Sequence, residues 1–284
     1  MFGSEYSMYP EILFDSFEKM KDDYKKKNHP ATENIILEFL IGQYIRIFGI
    51  PEIGIQIRYM HFKKAMKKYF PKRPKEILDA GSGIGSYVLE MNKKFPRAFI
   101  TGGEIDKKKI YLSKILCDKF HMHNVSFQKM DISTKMTKNK YNIIVSIDVL
   151  EHIRKYKRVL RNFSDSLKSG GYLYIHTPHR NQKRIFPFTE GWYHSDHVRE
   201  GFSMNALSRE VEKSGLQIVR TYKTFGPFGR LSWELNHFFL KKNFILTGIT
   251  FPFLYLISLF DMYFTDSNGW GIVVIARKPK YEKK

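Results

Sequence analysis

The sequence predicts an α/β protein: a seven-stranded, mostly parallel sheet, preceded by helices and carrying an apolar helical insertion ahead of its last strand. Three observations carry that expectation. Between Glu76 and about Val219, short apolar runs alternate with longer amphipathic stretches, the pattern of strand–helix–strand units. The first run, Glu76-Ile77-Leu78-Asp79-Ala80, passes straight into a glycine-rich turn, Gly81-Ser82-Gly83-Ile84-Gly85. A last apolar run, Gly271 to Ala276, follows an uncharged aromatic stretch, so that stretch interrupts the sheet and does not end it.

Residues 1–70 read as an N-terminal helical cap. Glu33 to Ile47 is rich in Ile, Leu and Phe, and Ile57 to Phe70 alternates aromatics with lysines at helical spacing. Gly49 and Pro51 separate the two, and Pro71 and Pro74 mark the entry to a second region, 71–284. There, strands are expected near 76–80, 98–103, 124–128, 141–147, 171–177, 216–222 and 271–276. Helices are expected near 85–95, 107–119, 153–168 and 203–214, the last with Ser203 as its N-cap. The insertion, 225–268, contains Phe244 to Phe260, seventeen residues without a charge and with Pro252 in their middle. That is the short limit for a membrane span, and a span would leave the final strand on the wrong side. An apolar lid, or a helix pair lying in a membrane interface, is expected instead; an ordinary buried helix is the alternative.

The chain of 284 residues is long enough for one large core. Its 48 Lys and Arg against 28 Asp and Glu leave a formal charge of +20, which favours anionic surfaces such as nucleic acid or acidic lipid headgroups. The lysines are dispersed in short runs, so a solvated basic surface accounts for them equally well. Cys117 is the only cysteine, which excludes an internal disulfide and a Cys-rich zinc site and fits a reducing compartment. Met1 to Pro30 lacks an apolar signal region. The expected location is cytoplasmic, peripheral on the inner membrane face.

The turn at 81–85 carries the chemistry. Glycines there allow positive φ and a close approach of the backbone to a ligand, and a helix start follows. A dinucleotide-binding turn would need glycine or alanine where Ser86 stands. Asp79 at the strand tip would repel a pyrophosphate but would receive an ammonium. That favours a nucleotide bearing an amino acid.

The pattern Asp-x-Gly-x-Gly-x-Gly over Asp79 to Gly85 resembles motif I of the class I S-adenosylmethionine-dependent methyltransferases, on a Rossmann-like sheet. The resemblance covers about 76–180. It implies Asp79, Gly81, Ser82, Gly83, Gly85 and Asp148 at the cofactor, and Glu104 on the ribose hydroxyls with Ile105 packing on the adenine. Asp106 competes for the ribose or caps the helix from Lys107. In Gln128-Lys129-Met130-Asp131-Ile132, the resemblance assigns the Asp131 side chain to the adenine amino group and the Ile132 N–H to a ring nitrogen. The segment Asp148-Val149-Leu150-Glu151-His152-Ile153, with Leu167 to Leu173 and Thr177-Pro178, is similar to the ubiquinone-biosynthesis-type, small-molecule subgroup.

Asp148, Glu151 and His152 stand at i, i+3 and i+4, one face of a helical start beside the cofactor. His152 or Glu151 is then a candidate general base; alternatively all three hold a divalent ion, or Glu151 and His152 cap and pack the helix. His179, at the carboxyl end of the fifth strand, is a further catalytic candidate, as are the histidines of Trp192 to Glu200. A zinc site at His194 and His197 lacks thiolates and regular spacing. The apolar insertion points to a small or lipid acceptor, O- or C-methylated, taken from an anionic membrane surface. Nucleic acid is disfavoured: no Asn/Asp-Pro-Pro-Tyr/Phe segment follows the fourth strand, and no RNA-binding module is recognisable. A non-catalytic, cofactor-binding membrane adaptor is the reading from another class.

Overall fold

The computed structural model describes residues 51–189, 198–264 and 268–280. The chain divides into two compact units, Met1–Pro51 and Glu52–Lys284. The helical expectation for Glu33 to Ile47 lies outside the described residues, as does Trp192 to His197. The unit boundary falls at Pro51 and not near residue 70, so the helix over 53–68 shares a unit with the sheet.

The described elements run α1 (Ile53–Lys68), β1 (Glu76–Ala80), α2 (Ser86–Lys94), β2 (Phe99–Glu104), α3 (Lys107–Lys119) and β3 (Val125–Lys129). Then come β4 (Tyr141–Ile147), a short 3-10 turn (Leu150–His152), α4 (Tyr156–Ser166), β5 (Leu167–Pro178), α5 (Met204–Lys213) and β6 (Gln217–Thr224). The insertion supplies α6 (Pro227–Lys242) and α7 (Phe244–Ser258), and β7 (Gly271–Arg277) closes the sequence. The strand order is β3-β2-β1-β4-β5-β7-β6, and only β7 runs antiparallel to its neighbours. The expected seven-stranded, mostly parallel sheet is therefore present.

Central strands of a parallel sheet are covered on both faces, so they read as continuous apolar runs. Ile77, Leu78 and Ala80 of β1, Ile143 to Val145 of β4 and Ile272 to Ala276 of β7 are all buried. Helices cover them with one stripe each. Val159, Leu160 and Phe163 of α4 and Leu207 and Val211 of α5 pack in a single core with Leu173 and Ile175. Ser203 occupies the N-cap position of α5, but its side chain makes no capping hydrogen bond. The cap expectation is right in place and wrong in mechanism.

α1 begins four residues earlier than its aromatic–lysine spacing suggests, because its N-terminus is satisfied from two sides. The Glu52 carboxylate accepts from Gly54 N (2.8 Å) and Ile55 N (2.6 Å), and Asn236 Oδ1 on α6 accepts from Ile53 N (3.1 Å). The insertion is pinned to α1 at its other end as well. Asp261, fully buried, accepts from Phe225 N (3.0 Å), from Gly226 N at the start of α6, and from His61 Nε2 (3.0 Å).

Replacing Asp261 by Ala strands two main-chain donors and a histidine in the interior. We expect a loss of about 2–4 kcal/mol in urea unfolding. A loss within about 0.5 kcal/mol would contradict this anchoring role.

Candidate active site

β1, β2, β4 and β5 are mutually parallel, so their carboxyl ends open on one edge, where sheets of this kind place ligands. The glycine turn leaves β1 there. Its own N–H groups are already spent: Gly81 N (2.8 Å) and Ser82 N (3.1 Å) donate to Gly103 O, Gly83 N to Glu104 Oε2 (2.9 Å), and Gly85 N to Ser82 O (2.8 Å). The turn is thus braced by β2, and its shape is set before any ligand arrives. Gly81, at φ +83°, lies against Val149, and a Cβ at Gly85 (φ +91°) would meet the Phe127 ring at 2.3 Å. Gly83, at φ +54°, has open space where its Cβ would stand.

Asp79 lies under the turn with 1% of its surface exposed, and its Oδ2 has no partner among the described residues. Burial, with a smaller contribution from the nearby Glu104 carboxylate, pushes its pKa up to about 8. Glu104 is buried too, with Oε1 accepting from Ile105 N (2.7 Å) and Asp106 N (3.0 Å). Asp106 itself caps α3, accepting from Lys108 N (2.7 Å). Ile105 stands beyond the strand tip 60% exposed, an apolar face with nothing packed on most of it.

Across the opening, Asp131 is exposed and forms a tight turn, its Oδ1 accepting from Ser133 N (2.8 Å) and Ser133 Oγ (2.6 Å). Those two hydrogen bonds hold its carboxyl below the usual range. Ile132 is buried behind it, with its carbonyl fixed by Asn162 Nδ2 (2.9 Å).

The residues after β4 do not form the helical face expected from their spacing. Asp148 sits at φ 52°, a left-handed conformation, with its N–H on His176 O (2.9 Å). Its Oδ1 pairs with His176 Nδ1 (2.7 Å) and its Oδ2 with Arg58 Nε of α1. His176 is fully buried, which lowers its pKa, and its Nε2 lies 3.0 Å from Thr224 Oγ1. A carboxylate only accepts, so Nδ1 carries the proton and Nε2 accepts from Thr224. Glu151 points elsewhere. It is sealed from solvent, its Oε2 accepts from Thr177 Oγ1 (3.0 Å), and Oε1 has no partner among the described residues. Burial first, then Asp148, raises its pKa well above the usual carboxylate range. Arg199 closes this turn from outside, donating to Leu150 O (2.6 Å) and Ile153 O (2.8 Å).

One expectation is corrected here. Asp148, Glu151 and His152 are not a metal-ligand set: Asp148 is committed to His176 and Arg58, Glu151 to Thr177, and no group of three or more His, Cys, Asp or Glu among the described residues could hold an ion. The three catalytic candidates sit in different surroundings. Glu151 is internal, His152 is half-buried, and His179 turns its Nδ1 to Asn181, 3.0 Å from the carbonyl, with burial lowering its pKa. Sequence reasoning missed Arg58, His176 and Thr224, because each reaches the site from a distant segment. It also missed Glu234 of α6, which is fully buried and accepts from Ile185 N (2.7 Å), Phe186 N (3.0 Å) and Thr189 Oγ1 (2.7 Å). Glu234 thereby fixes the segment leaving β5.

A family profile described as "Methyltransferase domain" matches residues 56–221. Over 127 residues the chain is 28% identical to the (S)-coclaurine N-methyltransferase of Papaver somniferum, covering 43% of this chain and 36% of that one. Over 122 residues it is 29% identical to the ubiquinone biosynthesis O-methyltransferase of Coxiella burnetii, covering 42% of this chain and 50% of that one. The match thus spans half or less of the length of these relatives. Among solved structures, the phosphoethanolamine N-methyltransferase 2 of Haemonchus contortus, in complex with S-adenosyl-L-methionine, superposes with a TM-score of 0.59 at 17% identity, covering 78% of this chain and 53% of that one. That likeness is one of fold.

The buried charge of Asp79 is costly. Its folded-state pKa of about 8 lies above the unfolded value of 3.8, so the folded form is fully stable below 3.8 and loses stability as pH rises toward 8. Asp79→Asn removes that loss. We expect the variant to be more stable than the parent by roughly 1–3 kcal/mol at neutral pH, with the difference vanishing in acid, in pH-dependent denaturant melts. A less stable variant at neutral pH would contradict the buried, unpaired state of Asp79.

Proposed function

The chain belongs to the methyltransferase-domain family, with the motifs of the class I S-adenosylmethionine enzymes, and from that premise we propose that it methylates a small, lipophilic acceptor. One observation carries the cofactor part: a fully buried carboxylate, Asp79, whose Oδ2 has no partner among the described residues. An amino-acid ammonium is the group that such an oxygen lacks. When bound, S-adenosylmethionine supplies an electrophilic methyl group on a sulfonium. Asp79 holds the ammonium end; Glu104, with one lone pair left after three N–H bonds, accepts from the ribose; Ile105 offers its exposed face to the adenine. Asp131 and Ile132 close the base side.

Methyl transfer needs an aligned nucleophile and a dry site more than acid–base machinery. On the acceptor side, Asp148 is the carboxylate with exposed surface, held in place by Arg58 and His176, and it orients the acceptor. Phe225, buried and 5.5 Å below the Arg58 guanidinium, puts an aromatic face beside it. Glu151 and Thr177 keep the floor rigid, and His152 and His179 remain at its margin. The apolar, aromatic insertion supports a quinone-precursor-like or lipid-linked acceptor, methylated on oxygen or carbon. A nitrogen acceptor is the second reading, favoured by the likeness to the coclaurine N-methyltransferase.

Cofactor affinity follows the ionisation of Asp79. Below its pKa of about 8 the carboxyl must lose a proton to pair with the ammonium, so affinity should tighten up to tenfold per unit from about pH 6 to 7. Calorimetry with S-adenosylmethionine checks this; Asp79→Asn should bind at least tenfold more weakly, with no such slope. Incubation with methyl-labelled cofactor and fractionated cell lipids should place label in the apolar fraction. Label confined to RNA or to water-soluble products would remove the lipophilic acceptor, and cofactor binding without any transfer would favour the non-catalytic adaptor.

A further inference from the structure

The helix α7 is built inside out. From Thr247 to Asp261, the residues turned into the protein are Thr247, Phe251, Leu254, Ser258 and Asp261, at intervals of four, three, four and three. Three of those five are polar. The outward face holds Ile245, Ile249, Phe253, Leu256 and Phe260, with Tyr263 following; Ile249 and Phe253 are 62% and 68% exposed. A helix facing water shows the opposite arrangement, polar outside and apolar within. The inner polar groups are satisfied there: Thr247 Oγ1 donates to Asn243 O, Ser258 Oγ to Tyr255 O, and Asp261 takes the two main-chain donors and His61. A continuous apolar strip of this length on a surface marks a contact with something apolar.

We propose that this strip seats α7 flat in the headgroup–acyl boundary of an anionic lipid bilayer. The charge distribution identifies the occupant. No charged side chain occurs from Phe244 to Phe260, and the one acid of the following turn, Asp261, is sealed inside. Cations bracket the strip: Lys241 and Lys242 precede its first turn, and the Lys64 ammonium lies 3.4 Å from Met262 O at its far end. Apolar side chains between two basic ends match a membrane surface with acidic headgroups. A second copy of the chain laid on the same strip would bring these like charges together.

The segment Ile245–Met262 is long and apolar enough to cross a bilayer by composition. It lies flat here for two reasons. Its inner face is tied to α1 and to the start of α6 through Asp261, and β7, which follows it, lies between β5 and β6 in the sheet. Crossing would require breaking both.

This inference stands apart from the methyl-transfer reading, since vesicle binding needs neither cofactor nor acceptor. The test is co-sedimentation of the full chain with phosphatidylcholine vesicles, with and without about one-third phosphatidylglycerol. We expect binding to the anionic vesicles that weakens in high salt. The double variant Ile249→Asp, Phe253→Asp should lose at least about tenfold of it with an unchanged far-ultraviolet spectrum and melting temperature, because both side chains point outward. Lys241→Glu, Lys242→Glu should weaken binding several-fold at low salt only. The proposal fails if the parent chain stays in the supernatant, if the double variant binds as well as the parent, or if sedimentation velocity shows a dimer that the double variant dissociates.

Discussion

A carboxylate is held at the tip of β1 with one oxygen unpartnered among the described residues, and the ligand edge of the sheet is organised around that fact. Asp79 is 1% exposed and Glu104 adds a second negative group nearby, so its charged form is costly. The turn cannot lift away, because its N–H groups are bound to Gly103 and Glu104 on β2. What remains is a rigid concavity with one unmet electrostatic need. Ligand affinity in such a site comes from removing a cost already present in the folded chain.

The second organising device is polar and lies in the insertion. Asn236, Glu234 and Asp261 are buried, and each accepts hydrogen bonds from main-chain donors of another segment: the start of α1, the segment after β5, and the start of α6. Buried acceptors of this kind give direction where apolar contact alone would allow sliding. They bring Arg58 of α1 over Asp148 and set Phe225 beside His176. The insertion therefore shapes the acceptor side from within, while leaving its apolar face outside.

Much of the sheet was legible because each of its rules is local. Period, length and turn residues place β1, β4 and β7 to within a residue. Boundaries drifted where satisfaction came from far away. α1 starts early because Asn236, 183 residues distant in sequence, accepts from its first N–H. The Asp148, Glu151 and His152 triplet misled for a related reason: spacing puts three side chains on one helical face only if the backbone is helical, and Asp148 is left-handed.

By itself the sequence determined the α/β class, the strands of the motif-bearing half, and the glycine turn that joins the first strand to its helix, because backbone geometry at a strand–glycine–helix junction depends on adjacent residues. Only the tertiary structure decided the cluster around Asp148. Arg58, Asp148, His176 and Thr224 come from four separate segments, and nothing in any one of them registers the other three. It also decided which face of α7 is outside: the hydrogen bonds of Asp261 to Phe225, Gly226 and His61 turn the face bearing Thr247, Ser258 and Asp261 into the protein.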